Sequence, residues 1–271
     1  MAQDKINFII LYQGRSGSTF LVDSLNQHPH IKAEYEILVS LRYLIKPNEE
    51  LGPIKKVYTM ALRFWQGSPA ERQLKRVTDL YDNPPREAKV VGFKTKVRDI
   101  EAPIEMKELL ESRRVKVILM ERKNFVKKAV AYIYAFRLYD KIRDWHLLDE
   151  QDRIPPQYIS FEEFDPMLRR MIYEHRTLHA YVDYLNTPKL RLEYDDLLKD
   201  KNGWFKSIFD FLGVEPQNLT SRILPNDPDD LRQAISNFDE LKLHYIGTKF
   251  EAMFDEITHS PAQTALLEKA Y

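Results

Sequence analysis

Short apolar runs alternate along the chain with longer segments whose apolar residues recur at helical spacing. The runs are rich in β-branched residues, a pattern typical of strands that are buried on both faces. They are Ile6–Tyr12, 89–94, 115–120 and 190–194. Helical spacing is found at 19–27, 104–112, 125–140, 166–185 and 204–212.

Strands that alternate with helices predict an α/β fold with a central parallel sheet of four to five strands flanked by helices. No clean linker divides the chain, so we expect a single domain over residues 1–271. Two long segments without strands, 36–88 and 140–165, are expected to be lids over the substrate. Because ligands of parallel sheets bind at the carboxyl ends of the strands, the site is expected there.

Composition narrows the possible functions. Lys plus Arg and Asp plus Glu number 41 each, so the net charge is zero and nucleic acid is not an expected partner. The chain has no cysteine, which excludes disulfides, thiolate metal sites and cysteine nucleophiles. No apolar run is long enough for a transmembrane segment, and Ile6–Tyr12 is too short for a signal peptide. A cytoplasmic location is therefore expected.

The loop after the first strand has the features of an anion site. Backbone N–H groups of such a loop, together with the start of the following helix, can hold a phosphate. Compared with the nucleotide loop G-x-x-x-x-G-K-[ST], Ser18 replaces the lysine and Tyr12 the first glycine, while Arg15 supplies a cation. The candidate anion-binding residues are Gly14, Arg15, Ser16, Gly17, Ser18 and Thr19.

Basic residues also follow two later strands. Arg122 and Lys123 lie between the run 115–120 and the next helix, a position that suits a dianionic phosphate. Lys94 ends the run 89–94, and a lysine there is costly to bury unless it meets an anion.

These motifs resemble those of sulfotransferases that use 3′-phosphoadenosine-5′-phosphosulfate (PAPS). The stretch YQGRSGSTFLVDSLNQHP resembles their 5′-phosphosulfate loop, most closely that of bacterial carbohydrate and nodulation-factor sulfotransferases, with kinship to protein-tyrosine sulfotransferases. The later segments LRLEYDDLL, FDFLGV, NFDEL and GTKF are similar as well. The resemblance implies the fold of P-loop-containing nucleotide hydrolases.

The resemblance also implies roles for particular residues. The loop with Arg15 would hold the 5′-phosphosulfate, and Arg122 and Lys123 would hold the 3′-phosphate. Lys94 would contact the bridging and sulfuryl oxygens. Glu36, eight residues beyond His28, would be the catalytic base, with Glu34 as the alternative. Ala131 stands where the family has a serine, so one hydroxyl contact to the 3′-phosphate is lost.

The implied reaction moves a sulfuryl group from PAPS to an acceptor hydroxyl and leaves adenosine 3′,5′-bisphosphate, with no metal. The acceptor would be a carbohydrate or another small molecule, and its identity and the oligomeric state stay open. A nucleotide-dependent phosphotransferase and a non-catalytic PAPS-binding module remain as alternatives. His175 and His179 have the i,i+4 spacing of metal ligands, but the sequence offers no third ligand beside them.

Overall fold

The computed structural model describes residues 5–38, 67–219, 223 and 225–257. Its centre is a five-stranded sheet in which every pair of neighbouring strands is parallel, in the order β2-β3-β1-β4-β5. The strands are β1 (Ile6–Tyr12), β2 (Ile31–Glu34), β3 (Val90–Thr95), β4 (Lys116–Glu121) and β5 (Lys189–Glu193). The predicted α/β class and the parallel sheet are confirmed.

Ten α-helices connect and cover the strands within the described residues. They are α1 (Ser18–Leu25), α2 (Pro69–Asp82), α3 (Pro103–Ser112), α4 (Phe125–Ile142), α5 (Phe161–Tyr184), α6 (Tyr194–Lys199), α7 (Lys201–Leu212), α8 (Leu231–Ala234), α9 (Phe238–Leu243) and α10 (Glu251–Asp255). Two short 3₁₀ turns lie at Val97–Asp99 and Glu150–Asp152. None of the helices in these parts of the chain is both long enough and apolar enough to cross a bilayer.

The alternation of side chains along β1 explains why the sheet is covered on both faces. Phe8 and Ile10 belong to one apolar core, which also contains residues of α1 and α7. Ile9 and Leu11 belong to a second core with residues of α2, α3 and α5. All four side chains are fully buried, as the continuous apolar run predicts for a central parallel strand.

Strand β2 and helix α5 are among the elements that differ from the sequence prediction. Strand β2 was not predicted, because it is a four-residue edge strand whose buried and half-buried residues alternate. Helix α5 begins at Phe161, earlier than the predicted 166, because the Ser160 side chain accepts a hydrogen bond from the Glu163 N–H. Pro166 therefore lies inside the helix rather than at its start.

The two predicted lid segments are described to different extents. Much of 36–88, namely 39–66, lies outside the described residues, and its later part contains α2. The Gln73 side-chain amide of α2 donates to the carbonyls of Leu38 and Asp99, at 2.6 Å each. The segment 140–165 contains the end of α4, an irregular stretch with one 3₁₀ turn, and the start of α5.

Candidate active site at the carboxyl edge of the sheet

The loop between β1 and α1 has an unusual backbone conformation. Arg15 and Gly17 both have positive φ angles, 63° and 78°. A Cβ atom on Gly17 would lie 2.5 Å from the Tyr194 ring, so glycine is required there by both conformation and space. Left-handed geometry at the non-glycine Arg15 costs free energy, and such residues are typical of functional sites.

Lys94 occupies the centre of the site. Its side chain is 3% exposed at the end of β3, directly beside β1. The ammonium donates to the Thr19 hydroxyl at 2.6 Å and lies 3.6 Å from Glu36 Oε1. Burial lowers the pKa of Lys94 to about 8, against the opposing effect of Glu36. The ammonium therefore joins the anion-binding loop to a carboxylate.

Glu36 is held by three neighbours. The Tyr12 hydroxyl donates to Glu36 Oε1, and the Lys96 ammonium lies 3.4 Å from the same oxygen. Desolvation raises the pKa of Glu36, but the charges of Lys94 and Lys96 and the Tyr12 hydrogen bond outweigh it, so the pKa lies below its usual value. At neutral pH the group is thus a carboxylate, the form that can accept a proton.

The structure separates the two candidate glutamates. Glu34 lies on the edge strand β2, where its carboxylate is 3.4 Å from the Lys32 ammonium and 38% of its side chain is exposed. Glu36 thus contacts the buried Lys94, whereas Glu34 forms an ion pair with Lys32 at the surface. The geometry favours Glu36 as the carboxylate of the site.

The segment 140–165 contributes His146 and Trp145, whose contacts with the anion-binding loop no sequence motif predicted. His146 Nε2 lies 3.2 Å from the Thr19 hydroxyl, and its Nδ1 lies 3.4 Å from Asp144. The Trp145 carbonyl accepts a hydrogen bond from the Arg15 guanidinium at 3.4 Å. The Asp144 carboxylate beside Nδ1 favours the tautomer with its proton on Nδ1, in which Nε2 accepts from the Thr19 hydroxyl. Sequence spacing cannot find such contacts, because they join distant parts of the chain through an irregular loop.

Arg122 and Lys123 have opposite surroundings. Arg122 is 6% exposed, its guanidinium lies 5.2 Å from the Tyr194 ring centre, and its Nε is 3.8 Å from Asp195. The Lys123 side chain is 71% exposed and pairs with Glu193. Of the two predicted 3′-phosphate residues, the structure therefore brings Arg122 into the buried site and leaves Lys123 at the surface.

Helix α4 adds buried groups beneath Arg122. The Lys128 ammonium donates to the Gln13 side chain at 2.6 Å, which connects this helix to the anion-binding loop. Lys127 pairs with Asp229. Ala131 is 2% exposed, so the position of the family serine is filled by a small apolar side chain.

Several buried polar atoms at this edge have no hydrogen-bond partner within the described residues, namely Arg15 Nε, Ser16 Oγ and Arg122 Nε. Buried polar groups are normally paired, and two of these belong to permanently charged guanidinium groups. Anionic oxygens would satisfy all three. The residues present therefore fit a donor that carries phosphate at both ends.

The chain is similar in sequence to known proteins. No protein-family model matches the chain. Nodulation protein H of Rhizobium meliloti (strain 1021) is 24% identical over 257 residues, which cover 92% of this chain and 94% of that protein. This relative is of the nodulation type that the sequence motifs indicate. This similarity over almost the whole chain agrees with the resemblance to sulfotransferases that the sequence motifs show.

Solved sulfotransferase structures are also similar to this one. A sulfotransferase from Alicyclobacillus acidocaldarius has a TM-score of 0.48 and 19% identity, covering 92% of this chain and 96% of its own. Mouse sulfotransferase SULT7A1 complexed with PAP has a TM-score of 0.43 and 13% identity, with coverage of 98% and 82%.

Proposed function

We propose that this sulfotransferase transfers the sulfuryl group of PAPS to an acceptor hydroxyl at the carboxyl edge of the sheet. The observation that carries the proposal is the buried Lys94 ammonium, which contacts both Thr19 of the anion-binding loop and Glu36. A donor loop, a cation and a carboxylate thus meet at one point. These are the groups that sulfuryl transfer to a hydroxyl requires.

In the proposed reaction, the acceptor oxygen forms a bond to sulfur while the bond between sulfur and the phosphate oxygen breaks. The acceptor proton passes to Glu36, and the electron pair of the broken bond stays on the phosphate. Lys94 stabilises the charge that develops on that phosphate, and the cost of its burial is recovered when an anion is present. Adenosine 3′,5′-bisphosphate is the second product.

Donor binding is assigned to two groups of residues. The 5′-phosphosulfate would be held by Gly14, Arg15, Ser16, Gly17, Ser18 and Thr19, which is supported by Arg15 Nε and Ser16 Oγ, buried atoms without a hydrogen-bond partner among the described residues. Arg122 would hold the 3′-phosphate, supported by its burial and by its Nε, which has no hydrogen-bond partner in the same part of the chain. Lys123 was predicted to share this role, and its exposed pair with Glu193 supports only a long-range contribution.

The segment 140–165 is proposed as one wall of the acceptor site. Trp145 contacts Arg15 through its carbonyl, while its ring stacks on Tyr139 at 4.4 Å and lies 5.3 Å from Phe136. The Trp145 and Phe136 side chains are both partly exposed, and such faces suit the apolar side of a sugar ring. A carbohydrate or another small molecule with an apolar face is therefore the proposed acceptor.

Two broader predictions stay as proposals. The match to Nodulation protein H over 92% of the chain supports one sulfotransferase domain over residues 1–271. The cytoplasmic location is a prediction from sequence, and cell fractionation would test it.

The test begins with ligand binding. Calorimetry should show that adenosine 3′,5′-bisphosphate binds more tightly than ATP with magnesium. Labelled PAPS is then offered with a panel of hydroxyl-bearing sugars and small metabolites, and label should reach an acceptor with the wild-type chain and not with Glu36→Gln. Preference for ATP with magnesium would overturn the assignment of the donor, and turnover unchanged in Glu36→Gln would overturn the assignment of the base.

A further inference from the structure

A second cluster of polar side chains lies where α5 packs against the end of β4, and the proposed reaction does not use it. His175 and His179 are one turn apart on α5, with ring centres 4.1 Å apart. Glu121 is the last residue of β4, and its Oε2 lies 2.8 Å from His179 Nε2. One ligand atom from each of the three residues lies within 4.8 Å of the other two. The sequence showed the histidine pair, but only the fold brings the carboxylate to it.

His175 gives an independent reason to expect a ligand. Its Nδ1 is buried and has no hydrogen-bond partner in the part of the chain that the structure describes, while the ring packs edge-on against Phe125 at 5.0 Å. An imidazole whose ring nitrogen is not used in a hydrogen bond can coordinate a metal ion.

We propose that Glu121, His175 and His179 form a binding site for a divalent transition-metal ion, with Zn²⁺ as the favoured ion. Two imidazoles and one carboxylate are a common zinc ligand set, and water can complete the coordination. The site has no part in sulfuryl transfer. Because its ligands come from a strand and a helix that meet only in the folded chain, bound metal would stabilise the native state.

Arg191 offers a further test of the proposed site, because its hydrogen bond to His179 opposes metal binding. The Arg191 guanidinium lies 3.2 Å from His179 Nδ1, so that nitrogen accepts and Nε2–H donates to Glu121. A metal on Nε2 requires the ring proton to move to Nδ1, and Arg191 would then lose its acceptor. The guanidinium would keep its second bond, to Asp183 at 2.8 Å. Removal of Arg191 should therefore strengthen metal binding.

The experiment uses the full chain after treatment with a chelator. ZnCl₂ is titrated by calorimetry, and CoCl₂ is added to look for the visible absorption bands of a low-symmetry cobalt site. We expect one equivalent per chain, a higher melting temperature with zinc, and binding that is at least about 10-fold weaker in His175→Phe and Glu121→Gln. Phenylalanine keeps the ring volume beside Phe125. Arg191→Met should bind zinc about 2- to 10-fold more tightly, the range expected for one hydrogen bond.

The control is His244→Ala, because this exposed histidine stacks on Phe161 away from the cluster. It should bind zinc as the wild type does. Equal zinc affinity in wild type and His175→Phe would overturn the site. Equal zinc affinity in wild type and Glu121→Gln would show that Glu121 is not a ligand of the site. Weaker zinc binding in Arg191→Met would contradict the role of Arg191. Calorimetry with adenosine 3′,5′-bisphosphate checks that each variant is folded.

Discussion

Basic residues at strand ends have different surroundings on the two sides of the carboxyl edge of the sheet. On the β1–β3 side, Lys94 is almost completely buried and contacts Thr19 and Glu36. On the β4–β5 side, Arg122 is buried while the adjacent Lys123 is exposed and paired with Glu193. All three basic residues lie at or directly after the end of a strand. The comparison teaches that a basic residue at a strand end is a site residue only when its side chain points into the buried edge.

The same comparison separates chemistry from binding. The β1–β3 side combines a cation with a carboxylate, a hydroxyl and His146, and is proposed to perform the transfer. The β4–β5 side offers the guanidinium of Arg122 and is proposed to hold the nucleotide. Changes on the first side should therefore lower kcat, and changes on the second should weaken nucleotide binding.

Glu36→Gln should give the largest effect. The amide cannot accept the acceptor proton, so we expect kcat to fall by about 10²- to 10⁴-fold. Affinity for adenosine 3′,5′-bisphosphate, measured by calorimetry, should change little. Glu34→Gln is the matched control and should keep wild-type turnover; a large loss in that variant with none in Glu36→Gln would exchange the two roles.

Lys94→Met removes the central cation and keeps an unbranched side chain of similar length. Because the lost charge acts mainly as the bond to the phosphate breaks, kcat should fall by about 10²- to 10³-fold. Single-turnover transfer from labelled PAPS measures this loss. Lys32→Met, at a surface pair on β2, should behave as wild type. A wild-type rate in Lys94→Met would break the proposed division between the two sides.

The pH profile gives a second measurement on Lys94. A lysine is charged below its pKa, and burial lowers the pKa of Lys94 to about 8. The value of kcat/KM for PAPS should therefore be constant just below pH 8 and fall about tenfold per pH unit above pH 8. Lys94→Arg should lose this alkaline limb, since arginine stays charged. An unchanged limb in that variant would assign the titration to another group.

Arg122→Met and Lys123→Met test the second side as a pair. Loss of Arg122 should weaken binding of adenosine 3′,5′-bisphosphate about 10- to 100-fold, because a buried charged contact is removed. Loss of Lys123 should change affinity by less than about 2-fold, as expected for an exposed group. Calorimetry on both variants measures the two changes in affinity. Equal losses would show that exposure does not separate the two residues.

Ala131→Ser should give a small effect of the opposite sign. The serine would add the hydroxyl that the resemblance to sulfotransferases implies at this position, and one added hydrogen bond would tighten bisphosphate binding by about 2- to 10-fold. Ala131 is buried, so a hydroxyl that found no phosphate would lower the melting temperature of the protein without ligand. Weaker nucleotide binding in this variant would place the 3′-phosphate elsewhere.

Much of the fold could be predicted because it depends on local patterns. The run Ile6–Tyr12 is a central strand, and the glycines and Arg15 after it form the loop expected between a strand and a helix. Strand β2 was missed because four alternating residues carry little periodic signal. The start of α5 was missed because proline is typical of the first turn of a helix, whereas Ser160 caps this helix and its first residue, Phe161, lies five residues before Pro166.

The sequence by itself determined the α/β class, the anion-binding loop and the set of basic and acidic side chains available at the strand ends. These follow from hydrophobic periodicity and from residue type, which act over short stretches of chain. Only the tertiary structure decided which of these groups meet. The contacts of Lys94 with Thr19, of His146 with Thr19 and of Glu121 with His179 join residues far apart in the sequence. Their formation depends on the strand order and on how the connecting segments pack, because burial at the sheet edge sets which side chains face inward.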